Sequence, residues 1–174
     1  MRPGNAGSHQ EGPVETCLDA AFRYLSCRPR SESELRKHLR QRGFDGGCVD
    51  EVLSQLRKKG LADDSAFARF WVENRESFRP RSQGRVQREL LDKGIDSETI
   101  AQATAGIDEE ASAYRAARRK ARTVSTVDYD GFQRKLLGFL ARRGYDDEVC
   151  QRTVNRIWQE RLKEGQDAQH LSEQ

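Results

Sequence analysis

The stretch Leu39-Arg40-Gln41-Arg42-Gly43-Phe44-Asp45 is written three times in this chain, and that repetition limits what the chain can fold into. It returns as Leu90-Leu91-Asp92-Lys93-Gly94-Ile95-Asp96 and as Leu140-Ala141-Arg142-Arg143-Gly144-Tyr145-Asp146. The glycines stand 51 and then 50 residues apart, at 43, 94 and 144. Self-similarity at a fixed period marks a repeat architecture. Each copy has the chemistry of a helix stop joined to a helix start. Glycine takes the left-handed conformation just past a helix end without a Cβ penalty. An apolar residue follows it (Phe44, Ile95, Tyr145), placed to pack on the leucine five positions earlier. The next residue is an aspartate suited to cap the following helix, whose fourth position (Val49, Ile100, Cys150) is apolar as a hydrophobic staple requires.

The residues between these corners read as helices. In the first unit Leu18, Ala21, Phe22 and Leu25 recur at helical spacing, and Pro29 ends that helix. Ser31 and Glu34 form a capping box for a second helix carrying Leu35 and Leu39. Val49, Val52, Leu53 and Leu56 stripe a third, closed by Gly60 with Leu61 facing Leu56. Asp63-Asp64 opens the second unit as cap and first-turn acid. Phe67, Phe70, Trp71 and Asn74 share one face of its first helix, which should end before Pro80. Ser82, Val86 and Leu90 repeat Ser31, Leu35 and Leu39, and Ile100, Ala103, Thr104 and Ile107 repeat the third stripe. In the third unit Ala113, Tyr114, Ala117 and Ala121 give a thin apolar face, followed by Phe132, Leu136, Leu137 and Leu140, then Cys150, Thr153, Val154 and Ile157. The period breaks at one place, where Ala111 occupies the position of Gly60; the join falls at Gly106, or the flanking helices are partly continuous. Val and Ile are scarce and no stretch alternates with period two, so strands are not expected.

The expected fold is all-α, three tandem three-helix repeats in an elongated array that can curve. The boundaries are a disordered N-terminal tail at 1–14, repeats at 15–61, 62–107 and 108–162, and a polar, disordered tail at 163–174. With 35% hydrophobic residues against 34% charged, no unit buries much alone, so neighbours must stack or share helices.

Chemistry is harder to find. No Gly-rich phosphate loop, H-E-x-x-H or G-x-S-x-G occurs. Cys17, Cys27, Cys48 and Cys150 form no C-x-x-C and do not pair with His9, His38 or His170 at zinc-ligand spacing, so they read as reduced structural thiols. His38, on a charged helix face, reads as solvated. We expect no enzyme, no cofactor and no metal. No apolar run approaches the ~20 residues of a membrane span. Met1–Pro13 lacks an apolar signal segment, so a cytoplasmic protein is expected.

Binding has more support. The net charge is only +3, but arginine and lysine are gathered: Arg36 and Arg40 on one second helix, Arg142 and Arg143 at the matching place in the third unit, Arg75, Arg79, Arg81 and Arg85 around Pro80, and Arg118-Arg119-Lys120. Arginine's planar fork suits phosphate or carboxylate. Interspersed acids such as Glu32, Glu34 and Glu89 leave a solvated charged face as the alternative.

These motifs also resemble a known family. Ser31-x-x-Glu34-Leu35-x-x-x-Leu39-x-x-Arg42-Gly43-Phe44 resembles the first-repeat motif of the RecX family of bacterial recombination regulators. Gly60-Leu61-Ala62-Asp63-Asp64-x-x-Phe67-Ala68-x-x-x-Val72 is a looser match, and Gly84-Arg85-Val86-x-x-Glu89-Leu90-x-x-Lys93-Gly94-Ile95 resembles the middle motif. Lys135-Leu136-x-x-Phe139-Leu140-x-Arg142-Arg143-Gly144-Tyr145 resembles the third, so the likeness runs in order over about residues 17 to 158. The resemblance implies a modulator, usually an inhibitor, of the RecA recombinase that lies in the groove of the RecA–DNA filament and reduces ATP hydrolysis, strand exchange and coprotease activity. It implies a RecA partner, with single- or double-stranded DNA as a further contact; apart from the resemblance, no membrane partner and a monomer are expected. The residues themselves leave open two other readings: a direct DNA-binding protein without RecA, and a plain helical scaffold.

Overall fold

The computed structural model describes residues 12–125 and 128–172, with side chains described as far as 166; most of the expected N-terminal tail lies outside the described residues. Among the described residues there are nine helices and no strand. They are α1 (Pro13–Leu25), α2 (Glu32–Gln41), α3 (Gly46–Lys58), α4 (Asp64–Phe78), α5 (Gln83–Leu91), α6 (Ser97–Thr104), α7 (Glu109–Ala121), α8 (Tyr129–Ala141) and α9 (Asp147–Ser172).

The corners are built as their residues dictate. Gly43, Gly60, Gly94 and Gly144 have φ of +92°, +67°, +78° and +91°. Around Gly43 the N–H of Phe44 donates to the Leu39 carbonyl at 3.3 Å and that of Gly43 to Arg40 at 3.0 Å. Tyr145 with Leu140 (3.4 Å) and Gly144 with Ala141 (2.9 Å) repeat this double closure, the Schellman arrangement. Asp45 and Asp146 then accept from the N–H groups of Cys48 and Val149 at 3.0 and 2.8 Å. The irregular join resolves at residues 105–108, where Asp108 caps α7 through the Ala111 N–H. The flanking helices are separate, and Gly106 is not left-handed there.

These helices fall into two compact units. One comprises residues 12–67 with the corner 93–96; the other comprises 68–92 and 97–172. In the first unit the α3 stripe Val49, Val52, Leu53 and Leu56 is fully buried with Leu35 and Leu39. The face of α1 is rotated from the expected one. Cys17, Ala20 and Ala21 go in, Leu18 and Leu25 pack at the margin, and Phe22 is 37% exposed. Small residues let α1 approach α3 closely, so the long side chains flank the seam. Leu61 is also corrected: its N–H reaches the Leu56 carbonyl at 2.9 Å, but its side chain is exposed and Ala62 fills the core.

In the second unit Ala113, Ala116 and Ala117 of α7 pack with Phe132, Leu136 and Leu140 of α8 and with Val149, Cys150, Val154 and Ile157 of α9. The small α7 face is therefore a close-packing surface. Cys150 is 1% exposed, as a core filler should be. The C-terminal tail is corrected as well, since α9 continues through Lys163 to Ser172.

The N-termini of α2 and α5 are held by the same device. Ser31 caps α2 by accepting from the Glu34 N–H at 3.1 Å, and its hydroxyl donates to the Lys93 carbonyl at 2.7 Å. Asp64 accepts from the Glu32 N–H at 2.8 Å, a role its position as first-turn acid did not foretell. Ser82 likewise caps α5 through the Arg85 N–H at 3.2 Å, its own N–H donates to the Arg143 carbonyl at 3.2 Å, and Glu109 accepts from the Gln83 N–H. Unpaired N–H groups at a helix start are costly when buried. Here they are satisfied by residues distant in sequence.

Candidate nucleic-acid interface

The C-terminal end of α4 leaves carbonyls pointing out of the helix, where cations are favoured by the helix dipole. Arg119 of α7 donates to the carbonyls of Ser77 and Phe78 at 2.9 and 3.2 Å. Arg143, from the corner after α8, donates to the Pro80 carbonyl at 2.7 Å and lies 4.4 Å over the Phe139 ring. Arg79 is exposed on the same turn. Arg85 lies alongside the corner at Gly144, where an added Cβ would come within 3.2 Å of its Cβ.

The electrostatics match this gathering. Burial lowers the Arg143 pKa from its ordinary value, Tyr145 opposes the shift, and the neighbouring Arg81, Arg79 and Arg119 lower it further. Arg143 therefore feels three other guanidinium groups. Arg81 is itself paired, since Glu89 binds Arg75 at 2.7 Å and Arg81 at 2.6 Å. Arg75 also lies 4.5 Å over the Trp71 ring and is only 18% exposed, which makes it part of the scaffold. Arg119 and Arg143 carry positive charge held by carbonyl oxygens, Arg79 is exposed beside them, and these guanidinium groups retain N–H donors for an anion.

The other predicted residues are not brought to this place. Arg36 is paired with Asp50 and, at 3.7 Å, with Glu32. Arg40 is exposed and lies across the start of α3, its Nη1 2.6 Å from where a Cβ on Gly46 would be. Arg142 is exposed and lies back along α8, its Nη1 3.3 Å from a Cβ placed on Gly138. The run Arg118-Arg119-Lys120 diverges because successive helical residues are about 100° apart. Arg118 instead lines a cleft of about 370 Å³ with Arg122, Arg161, Glu160 and Glu164, and Lys120 is half-buried.

His38 is corrected. It stacks on Tyr24 with ring centroids 3.9 Å apart, while Arg30 lies 3.8 Å over the same ring. Burial lowers its pKa, and Arg42 and Arg30 lower it further. Phe78, whose carbonyl is bound by Arg119, was missed by the sequence reading. It lies at helical spacing from Phe67, Trp71 and Asn74 on α4, yet it is 71% exposed. Among the described residues, no group of three or more His, Cys, Asp or Glu is placed to hold a metal ion. No helix among them is long and apolar enough to cross a membrane.

Three family models match consecutive parts of the chain. They are the RecX first, second and third three-helix domains, at residues 17–56, 63–103 and 108–154. A Streptomyces coelicolor protein called Regulatory protein RecX is 34% identical over 171 residues, 97% of this chain and 89% of that protein. The chain belongs to the RecX family. Proteins of the same name from Amycolatopsis mediterranei (38% identical, 75% of this chain and 74% of that one) and Mycobacterium marinum (35%, 88% and 90%) agree. The crystal structure of RecX from Lactobacillus salivarius superposes with a TM-score of 0.68 at 20% identity, over 83% of this chain and 96% of that one. That likeness adds a shared fold, and the named RecX relatives are regulatory proteins.

Proposed function

We propose that this RecX-family chain is a cytoplasmic, monomeric regulator that binds the RecA–DNA filament and lowers the ATPase, recombinase and coprotease activities of RecA. In this reading the arginines at the end of α4 meet the phosphate backbone of the DNA held in the filament. The observation that carries it is the gathering of Arg119 and Arg143 on the carbonyls at the end of α4, beside the exposed Arg79, with Arg81 paired to Glu89. Like charges gathered this way favour an anionic partner, and planar guanidinium groups suit phosphate oxygens.

The test is RecA's DNA-dependent ATP hydrolysis and filament length at stoichiometric amounts of the purified chain. We expect both to fall, and Arg79→Glu combined with Arg119→Ala to blunt the effect. Arg36→Ala should leave it intact, because that side chain is engaged by Asp50 and Glu32. Unchanged ATPase and filament length with the native chain would overturn the proposal. The same cluster supports a second reading, a DNA-binding protein that needs no RecA. Tight binding to bare DNA at physiological salt without any effect on RecA would favour it.

A further inference from the structure

Among the described residues Phe78 is the most exposed large hydrophobic side chain, at 71%, and the backbone that carries it is bound by arginines. Its own carbonyl and that of Ser77 are held by Arg119, the next residue is Arg79, and the Pro80 carbonyl is held by Arg143. The turn bearing the ring is thereby tied at three carbonyls, so the aromatic face is presented from a fixed backbone. A lone exposed ring is ordinary on a protein surface, but one fixed beside gathered guanidinium groups offers apolar area that a suitable ligand would bury. The basic surroundings select an occupant that is both anionic and flat.

We infer that Phe78 is a stacking platform for a nucleobase and that the α4 end recognises single-stranded nucleic acid, with Arg79 and Arg119 on the adjoining phosphates. A base in a duplex is already stacked on its neighbours and cannot lie on a side chain, whereas an unpaired base can. The cluster thus couples two terms. The phosphate term is shared by single strands and duplexes, and the stacking term belongs to single strands alone. The inference rests on the phosphate-binding reading of this cluster, and the two separate in one experiment.

Binding of the full chain to a labelled oligo-dT and to a hairpin duplex of equal phosphate number is measured by anisotropy across a salt series. Phe78→Ala should weaken oligo-dT binding about 5- to 100-fold, the span of one stacked base, while duplex affinity moves less than about twofold and the salt dependence is unchanged. Phe78→Trp should retain oligo-dT binding, with the new indole's fluorescence quenched by the oligonucleotide against the native background. Arg79→Ala should weaken both polymers and flatten the salt dependence for both. Because the ring is exposed, the melting temperature of Phe78→Ala should match that of the native chain. Equal weakening of both polymers by Phe78→Ala, or of neither, overturns the stacking role and leaves the phosphate reading standing. An Arg79→Ala chain that loses nothing on either polymer removes the phosphate reading instead. A native chain that binds neither polymer at low salt overturns the inference outright. Loss of RecA inhibition in Phe78→Ala with oligo-dT binding intact would mean that the ring contacts protein, which also overturns it.

Discussion

Replacing Gly94 by alanine tests the corner on which the repeat is built. Its φ of +78° lies in the left-handed region, where a Cβ costs about 1–2 kcal/mol. An added Cβ would also lie 2.5 Å from Ser33 Cβ and 2.7 Å from Ser33 Oγ. The Ser33 Cβ is fixed to its backbone, so no rotamer change relieves that contact. The first turn of α2 must move by roughly 1 Å to restore ordinary carbon–carbon separation. That movement strains the Ser31–Lys93 hydrogen bond at 2.7 Å and the Lys93–Glu34 ion pair at 2.9 Å. Overpacking of this kind adds about 1–3 kcal/mol, giving roughly 2–5 kcal/mol for Gly94→Ala. Gly60 supplies the control: its φ is +67° but nothing lies within 4 Å of the added Cβ, so Gly60→Ala carries the backbone cost alone. Urea unfolding of both variants gives the difference directly. Adding Ser33→Gly to Gly94→Ala should recover the excess. A Gly94→Ala chain no less stable than Gly60→Ala would refute the close approach, and a Gly94→Val chain with unchanged melting temperature would refute the corner itself.

Two further predictions concern groups the fold holds in place. Burial raises the Glu34 pKa, but hydrogen bonds from Arg28, Lys93 and the Ser31 N–H outweigh it and bring the carboxyl to about 2 from 4.5. A lowered folded-state pKa stabilises above the unfolded value. The contribution, on the order of 2–3 kcal/mol, is therefore present above about pH 4.5 and lost as pH falls towards 2. Urea unfolding should show the stability gap between the native chain and Glu34→Gln narrowing across that window. In the second unit the Ser112 hydroxyl donates to Glu76 at 2.8 Å, which makes the Tyr145 hydroxyl, also at 2.8 Å, the donor to Ser112. Tyr145→Phe should cost about 1 kcal/mol. Ser112→Ala should cost more, about 1–3 kcal/mol, because it leaves the buried tyrosine hydroxyl without its acceptor; thermal unfolding compares them.

Much of the fold was legible in the sequence because its signals are local. The Schellman closures span five residues, the caps three, and the stripes three and four, so Gly43, Asp45, Ser31 and Val49 announce their roles without knowledge of any distant partner. The same locality explains the misreadings. Helical spacing marks an apolar face on α1 but not which part of it a neighbour approaches, so Cys17 and Ala20 displaced Phe22. The candidate site was legible only as a set of arginines. Arg36 and Arg75 look like Arg79 and Arg119 in the sequence, and what separates them is the partner each meets.

The sequence by itself determined that this chain is a run of helices turning at left-handed glycines, because the interactions that start and stop a helix lie within one turn of it. Only the tertiary structure decided which charges are available. Asp50 engages Arg36 and Glu89 engages Arg75, while carbonyls at the end of α4 draw Arg119 and Arg143 together. A guanidinium group keeps the charge it carries in every environment, but the anion it can bind depends on what already surrounds it. Arg143 and Pro80 lie 63 residues apart, a separation that no local pattern reports. The same assembly left Phe78, the last residue of α4, in solvent while Phe67 near the start of that helix is buried.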